Sequence, residues 1–144
     1  MLNSGQSCIA GSRVFVHESI APKFIEQLVT RFKDIKSAIG DPFDANTRLG
    51  PIADAAQFQR VIRGIETGKH EAKVLVGGKR HGSSGFYVEP TIFLNPGDYS
   101  RLYRDEVFGP VLVIRTFKTE EEAIKMANDS VMGLSCRSSS LVWG

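Results

Sequence analysis

Val111-Leu112-Val113-Ile114 is an unbroken apolar run in which three of four side chains are β-branched. A run with no polar alternation suits a strand buried on both faces. Beyond it, Thr119 and Glu122 have the spacing of a capping box and predict a helix to about Asn128. Before it, Phe86 to Phe93 reads as a strand interrupted by Pro90, which places it at an edge or bends it there. Lys73-Val74-Leu75-Val76 reads as a short strand closed by Gly77-Gly78. Asp54 caps a helix with Phe58, Val61, Ile62 and Ile65 on one face and Gly68 as its stop. Asp41 to Pro51 is a loop carrying Pro42 and Pro51. Ser19 is expected to cap an earlier helix running to about Ile39. Its residues Phe24, Ile25, Leu28, Val29, Phe32 and Ile35 recur at helical spacing, and Gly40 ends it. Arg13 to His17 has strand composition. Strands alternating with helices predict an α/β fold: a largely parallel sheet with flanking helices.

The chain of 144 residues is one domain or a piece of one. Apolar residues at 42% and charged residues at 24% suffice for a globular core. With a net charge of +2 and no basic block longer than Lys79-Arg80, nothing marks a nucleic-acid footprint. No apolar run approaches the roughly 18 residues of a membrane span. Two cysteines, Cys8 and Cys136, are too few for a disulfide framework. They point to a reducing compartment, most simply the cytoplasm. A mitochondrial location stays open, because a targeting segment upstream of Met1 would not be seen.

Asn3-Ser4-Gly5-Gln6-Ser7-Cys8 carries the chemistry. A nucleophilic Cys needs thiolate character and an approach path, and a nearby glycine lets backbone come close to a substrate. A helical turn starting at about Cys8 would aim free N–H groups at that sulfur and at an oxyanion beside it. Against this stands the reading of Cys8 as a small buried residue. Cys136 reads as a packing residue. His17, His70 and His81 show no metal-ligand spacing. A Cys8–His hydrolase dyad would need one of them brought within hydrogen-bond reach.

The second segment is Glu106-Val107-Phe108-Gly109-Pro110-Val111. By itself Glu106, next to Asp105 and near Arg101 and Arg104, is a solvated charge, and Phe108-Gly109-Pro110 a turn feeding a strand. Together, N-x-G-Q-x-C followed downstream by E-x-F-G-P-V resembles the aldehyde dehydrogenase superfamily. Gly50-Pro51, Gly85 to Thr91, Asn128-Asp129 and Gly133-Leu134 are similar to further family landmarks in the same order. The resemblance implies that Cys8 is the catalytic nucleophile, with its N–H forming half of an oxyanion hole. It implies that Glu106 hydrogen-bonds the nicotinamide-side ribose of NAD or NADP and that Phe108 packs beside that end. Gln57 and Arg60 match polar or basic positions near the cofactor, although alone they read as a plain polar helix face. The implied substrate is an aldehyde, oxidised to a carboxylic acid through a Cys thiohemiacetal and a thioester, and full-length relatives are expected to be homo-oligomers.

The resemblance covers residues 1–134, a partial catalytic domain, and residues 135–144 depart from the family pattern as a divergent tail. It places most of the cofactor-binding domain, the general-base glutamate and an oxyanion-hole Asn upstream of Met1. The alternative function is therefore an inactive truncated fragment that acts, if at all, by joining intact subunits.

Overall fold

The computed structural model describes residues 2–139. Met1 and residues 140–144, the last part of the expected divergent tail, lie outside the described residues. Strands β1 (Arg13–His17), β2 (Lys73–Val76), β3 (Thr91–Leu94) and β4 (Val111–Phe117) form one sheet in the order β1-β4-β3-β2. β4 runs parallel to both β1 and β3, while β2 closes the far side antiparallel to β3. Helices α1 (Ala21–Lys36), α2 (Ala55–Glu71), α3 (Arg101–Arg104) and α4 (Glu120–Asn128) complete the fold. The expected α/β architecture with a mostly parallel sheet is present.

β4 shows why its sequence does not alternate. Val111 and Val113 enter a core with Phe58, Val61 and Ile65 of α2 and Leu102 and Tyr103 of α3. Leu112 and Ile114 point the other way, into a second core with Val16, Ile92 and Ala21 and Phe32 of α1. Successive side chains on a strand face opposite sides, so a strand covered on both faces must be apolar at every position.

Several element ends differ from the sequence expectation. Ser19 does not cap α1: the capping position is Ile20, which makes no side-chain bond. Ser19 Oγ instead sits 2.8 Å from His17 Nδ1. Pro22 lies in the first turn of the helix, where a missing N–H costs no intrahelical bond. The helix stops at Lys36, short of Gly40, and Ile39 pairs with Leu49 in an isolated bridge. Gly68 does not end α2, which continues to Glu71. A Cβ at Gly68 would lie 2.8 Å from both Phe93 and Leu102, so the glycine serves close packing within the helix. The strand expected across Pro90 begins only after it, at Thr91, and lies between β2 and β4 rather than at an edge. Thr119 caps α4 as expected, accepting from Glu122 N at 3.2 Å, but the Glu122 carboxylate reaches back to Lys118 N rather than to Thr119 N.

Candidate functional site

The segment that carries Cys8 begins with an unusual turn. Asn3, Ser4 and Gly5 all have positive φ, at 49°, 55° and 74°. Left-handed backbone is uncommon outside glycine and persists only where surroundings enforce it. Here the enforcement is a set of bonds to a distant loop. The buried Ser4 donates its hydroxyl to Gly50 O at 2.9 Å. Gln6 donates through Nε2 to Pro51 O at 3.2 Å and accepts through Oε1 from Ala53 N at 2.8 Å. The Gly50-Pro51 landmark thus holds the turn in place and leads directly into α2.

Gly5 makes the decisive contact. A Cβ built there would fall 2.0 Å from Gly109 O and 2.5 Å from Gly109 C. Only a glycine allows this approach. The loop preceding β4 therefore lies against the turn preceding Cys8, and the two sequence motifs meet backbone to backbone. Gly109 is in turn pressed on α2, where its own Cβ would come 2.7 Å from a methyl of Val61.

The 106–110 loop is held from beneath by α2. Asp54 caps that helix by accepting from Gln57 N at 2.7 Å. The Gln57 side-chain amide donates to Phe108 O at 2.9 Å and to Val107 O at 3.3 Å. Arg60 Nε donates to Gln57 Oε1 at 2.7 Å, which fixes the orientation of that amide. Phe108 has φ 52°, a conformation costing a non-glycine residue about 1–2 kcal/mol. The residue remains 37% exposed. Glu106 is exposed, and among the described residues its carboxylate has no hydrogen-bond or ion-pair partner. Gln57 and Arg60 thus sit at the base of the loop, while Glu106 and Phe108 are presented on its surface.

Cys8 is exposed, not buried. No helix starts there. A single bond from Ala10 N to Ser7 O, 2.9 Å, closes one turn around Cys8 and Ile9 before the chain extends into β1. The expected turn at about Cys8 is thus a single turn that does not continue as a helix: Ala10-Gly11-Ser12 lead straight to a strand. Among the described residues the Cys8 N–H has no acceptor. Cys136 is also exposed.

Sequence reading missed the anchor at the other end of the Glu106 loop. Ser100 caps α3 and donates its hydroxyl to the Glu71 carboxylate, which also accepts from Leu102 N at 3.1 Å. Arg104 holds the end of α3 by a bidentate pair with Asp129, both contacts at 2.7 Å. A four-residue helix shows no apolar periodicity, so only the Ser at its head could have signalled it. Burial opposes ionisation of Glu71, but the hydrogen bonds from Ser100 and the 101–102 backbone outweigh it and hold the carboxyl below its ordinary value. A depressed folded-state pKa contributes stability that is present above the unfolded value, about 4.3, and is lost as pH falls through the folded value. Asp129 is depressed too, chiefly by Arg104, so the wild-type acid loss has more than one source. Chemical denaturation between pH 6 and 3 is expected to show a smaller acid-dependent loss for Glu71→Gln than for wild type. Identical slopes would show that the Ser100 anchor does not depend on charge.

Residues 1–141 match the Aldehyde dehydrogenase family. This chain belongs to that family. An aldehyde dehydrogenase of Davidiella tassiana is 46% identical over 134 residues, covering 92% of this chain and 27% of that protein. The chloroplastic betaine aldehyde dehydrogenase of Amaranthus hypochondriacus is 48% identical over 134 residues, covering 91% and 26%. Among solved structures, the Staphylococcus aureus betaine aldehyde dehydrogenase in complex with NAD+ superposes with a TM-score of 0.85 at 40% identity, over 92% of this chain and 27% of that one. The structure of a point mutant of that enzyme contains both NAD+ and a BME-modified cysteine. A variant of aldehyde dehydrogenase from Bacillus cereus gives a TM-score of 0.88 at 39% identity, over 93% and 27%. This aldehyde dehydrogenase family member therefore spans about a quarter of the length of the relatives it matches.

Proposed function

We propose that the chain is the cysteine-bearing portion of a NAD(P)-dependent aldehyde dehydrogenase, with residues 1–134 belonging to its catalytic domain. The observation that carries this reading is the contact of Gly5 on Gly109. It joins the segment bearing an exposed Cys8 to the loop bearing Glu106 and Phe108. The uncommitted Glu106 carboxylate fits two ribose hydroxyl donors, and the outward Phe108 ring fits the edge of a nicotinamide. The NAD+ and the BME-modified cysteine found together in the Staphylococcus aureus point mutant agree with a cofactor and a reactive thiol in the same enzyme.

In the proposed reaction, Cys8 Sγ adds as thiolate to the aldehyde carbon and the carbonyl oxygen takes up negative charge. The free Cys8 N–H is suited to share in binding that oxygen. When bound, NAD(P)+ accepts the hydride from the adduct carbon. Collapse leaves an acyl thioester on Cys8, and water then releases the carboxylic acid and restores the thiol. The general base and the second oxyanion donor come from parts of the polypeptide outside these residues. The 144-residue chain by itself is accordingly expected to be inactive.

Acid quenching of a single turnover by the intact enzyme, followed by peptide mass spectrometry, tests this. The acyl mass is expected on the peptide containing Cys8 and not on that containing Cys136. NADH formation with no adduct at Cys8, or with one at Cys136, removes the assignment.

A further inference from the structure

Gln57 uses its side chain in an uncommon way. One amide nitrogen serves two successive backbone carbonyls, those of Val107 and Phe108. Successive carbonyls point to opposite sides in extended backbone. They can face one donor only when the residue between them has a helical-sense conformation, and Phe108 supplies it with the left-handed φ of 52°. If Phe108 relaxed to the extended region, its carbonyl would swing away from Gln57, and the ring and Glu106 would be re-aimed. The amide itself cannot flip without placing its oxygen against both carbonyls, and Arg60 Nε at 2.7 Å from Oε1 opposes that flip.

We propose that Gln57, locked by Arg60, is a positioning residue: it holds Phe108 in the left-handed conformation that presents Glu106 and Phe108 to the cofactor. This rests on the reading of those two residues as cofactor-facing, and it gives Gln57 and Arg60 a role through the loop. Direct contact with the cofactor is the competing assignment. The two make different predictions. A direct contact changes affinity without changing the loop. A positioning residue changes both, and its partner in the lock adds nothing once it is gone.

The test uses Gln57→Met, Arg60→Met and the double variant of the intact enzyme. Crystal structures without cofactor report φ at Phe108, and calorimetric NAD(P)+ titration with steady-state kinetics reports affinity and turnover. Gln57→Met is expected to move Phe108 out of the left-handed region and to raise Kd and KM for NAD(P)+ about tenfold, the scale of one or two lost hydrogen bonds, with a smaller change in kcat. Arg60→Met is expected to give an intermediate rise, and the double variant to match Gln57→Met alone. Weaker binding with Phe108 still left-handed overturns the proposal in favour of direct contact. Multiplicative effects of the two substitutions also overturn it, as does unchanged affinity with Phe108 relaxed. If wild type binds no NAD(P)+ at all, the functional reading fails instead, and φ at Phe108 still decides whether Gln57 holds the loop.

Discussion

Cys8→Ala is expected to lower aldehyde oxidation by the intact enzyme by roughly 10⁴-fold or more, on the scale seen when an enzyme loses a covalent nucleophile. NAD(P)+ binding and thermal stability are expected to stay within error of wild type. The contrast follows from where the sulfur sits. Cys8 is exposed in a one-turn connection and makes no hydrogen bond among the described residues. Truncating it therefore opens no cavity and strands no polar group, and surface changes of that kind stay within about 0.5 kcal/mol. Chemistry is another matter, because in the proposed reaction neither the thiohemiacetal nor the thioester can form without Sγ. Cys136→Ala, at the other exposed cysteine, is the control and is expected to be silent. Steady-state NADH production by the three proteins decides the point. A loss under tenfold for Cys8→Ala, or an equal loss for Cys136→Ala, would show that the chemistry lies elsewhere.

What could be read from sequence, and what could not, divides along the range of the interactions. The two-faced burial of β4 was legible because it is written in consecutive residues, as were the caps at Asp54 and Thr119 three residues from the amides they accept. Two of the misread element ends were decided by partners further along the chain, whereas Ser19 was diverted from its cap by His17 only two residues away. Gly68 reads as a stop until Phe93 and Leu102 arrive against it. Ile39 reads as helix until Leu49 takes it into a bridge. Pro90 suggests an edge only if it lies inside the strand, and the ladder starts one residue later. At the site, residue types in the two motifs identified Cys8, Glu106 and Phe108 as candidates. The bonds from Ser4 and Gln6 to the 50–53 segment had no such signal, since nothing local distinguishes them from solvated polar side chains. The same applies to Gln57, whose partners lie on a loop fifty residues away.

Gly5→Ala tests the contact on which the site depends, and its effect on activity is expected to exceed its effect on stability. The new methyl would meet two backbone atoms of Gly109 and one of Pro110 at 2.0, 2.5 and 3.0 Å, at a φ of 74° that L residues rarely adopt. Backbone cannot rotate aside as a side chain would. Keeping the native arrangement would combine left-handed strain of about 1–2 kcal/mol with overpacking of about 1–3 kcal/mol. The chain has a cheaper escape: the turn at residues 3–7 can lift away, giving up its bonds to the 50–53 segment. That escape caps the loss of global stability at about 2 kcal/mol, the net worth of a few exposed or half-buried hydrogen bonds. It also separates Cys8 from the Glu106–Phe108 loop, and a displacement of about 1 Å between reacting groups can lower turnover about 10²-fold. Gly11→Ala, where a Cβ meets nothing within 4 Å, is the control and is expected to leave both quantities near wild type. Urea denaturation and NADH production on the same preparations measure the two effects. A Gly5→Ala enzyme with native turnover would mean that the chemistry does not need the two motifs to touch.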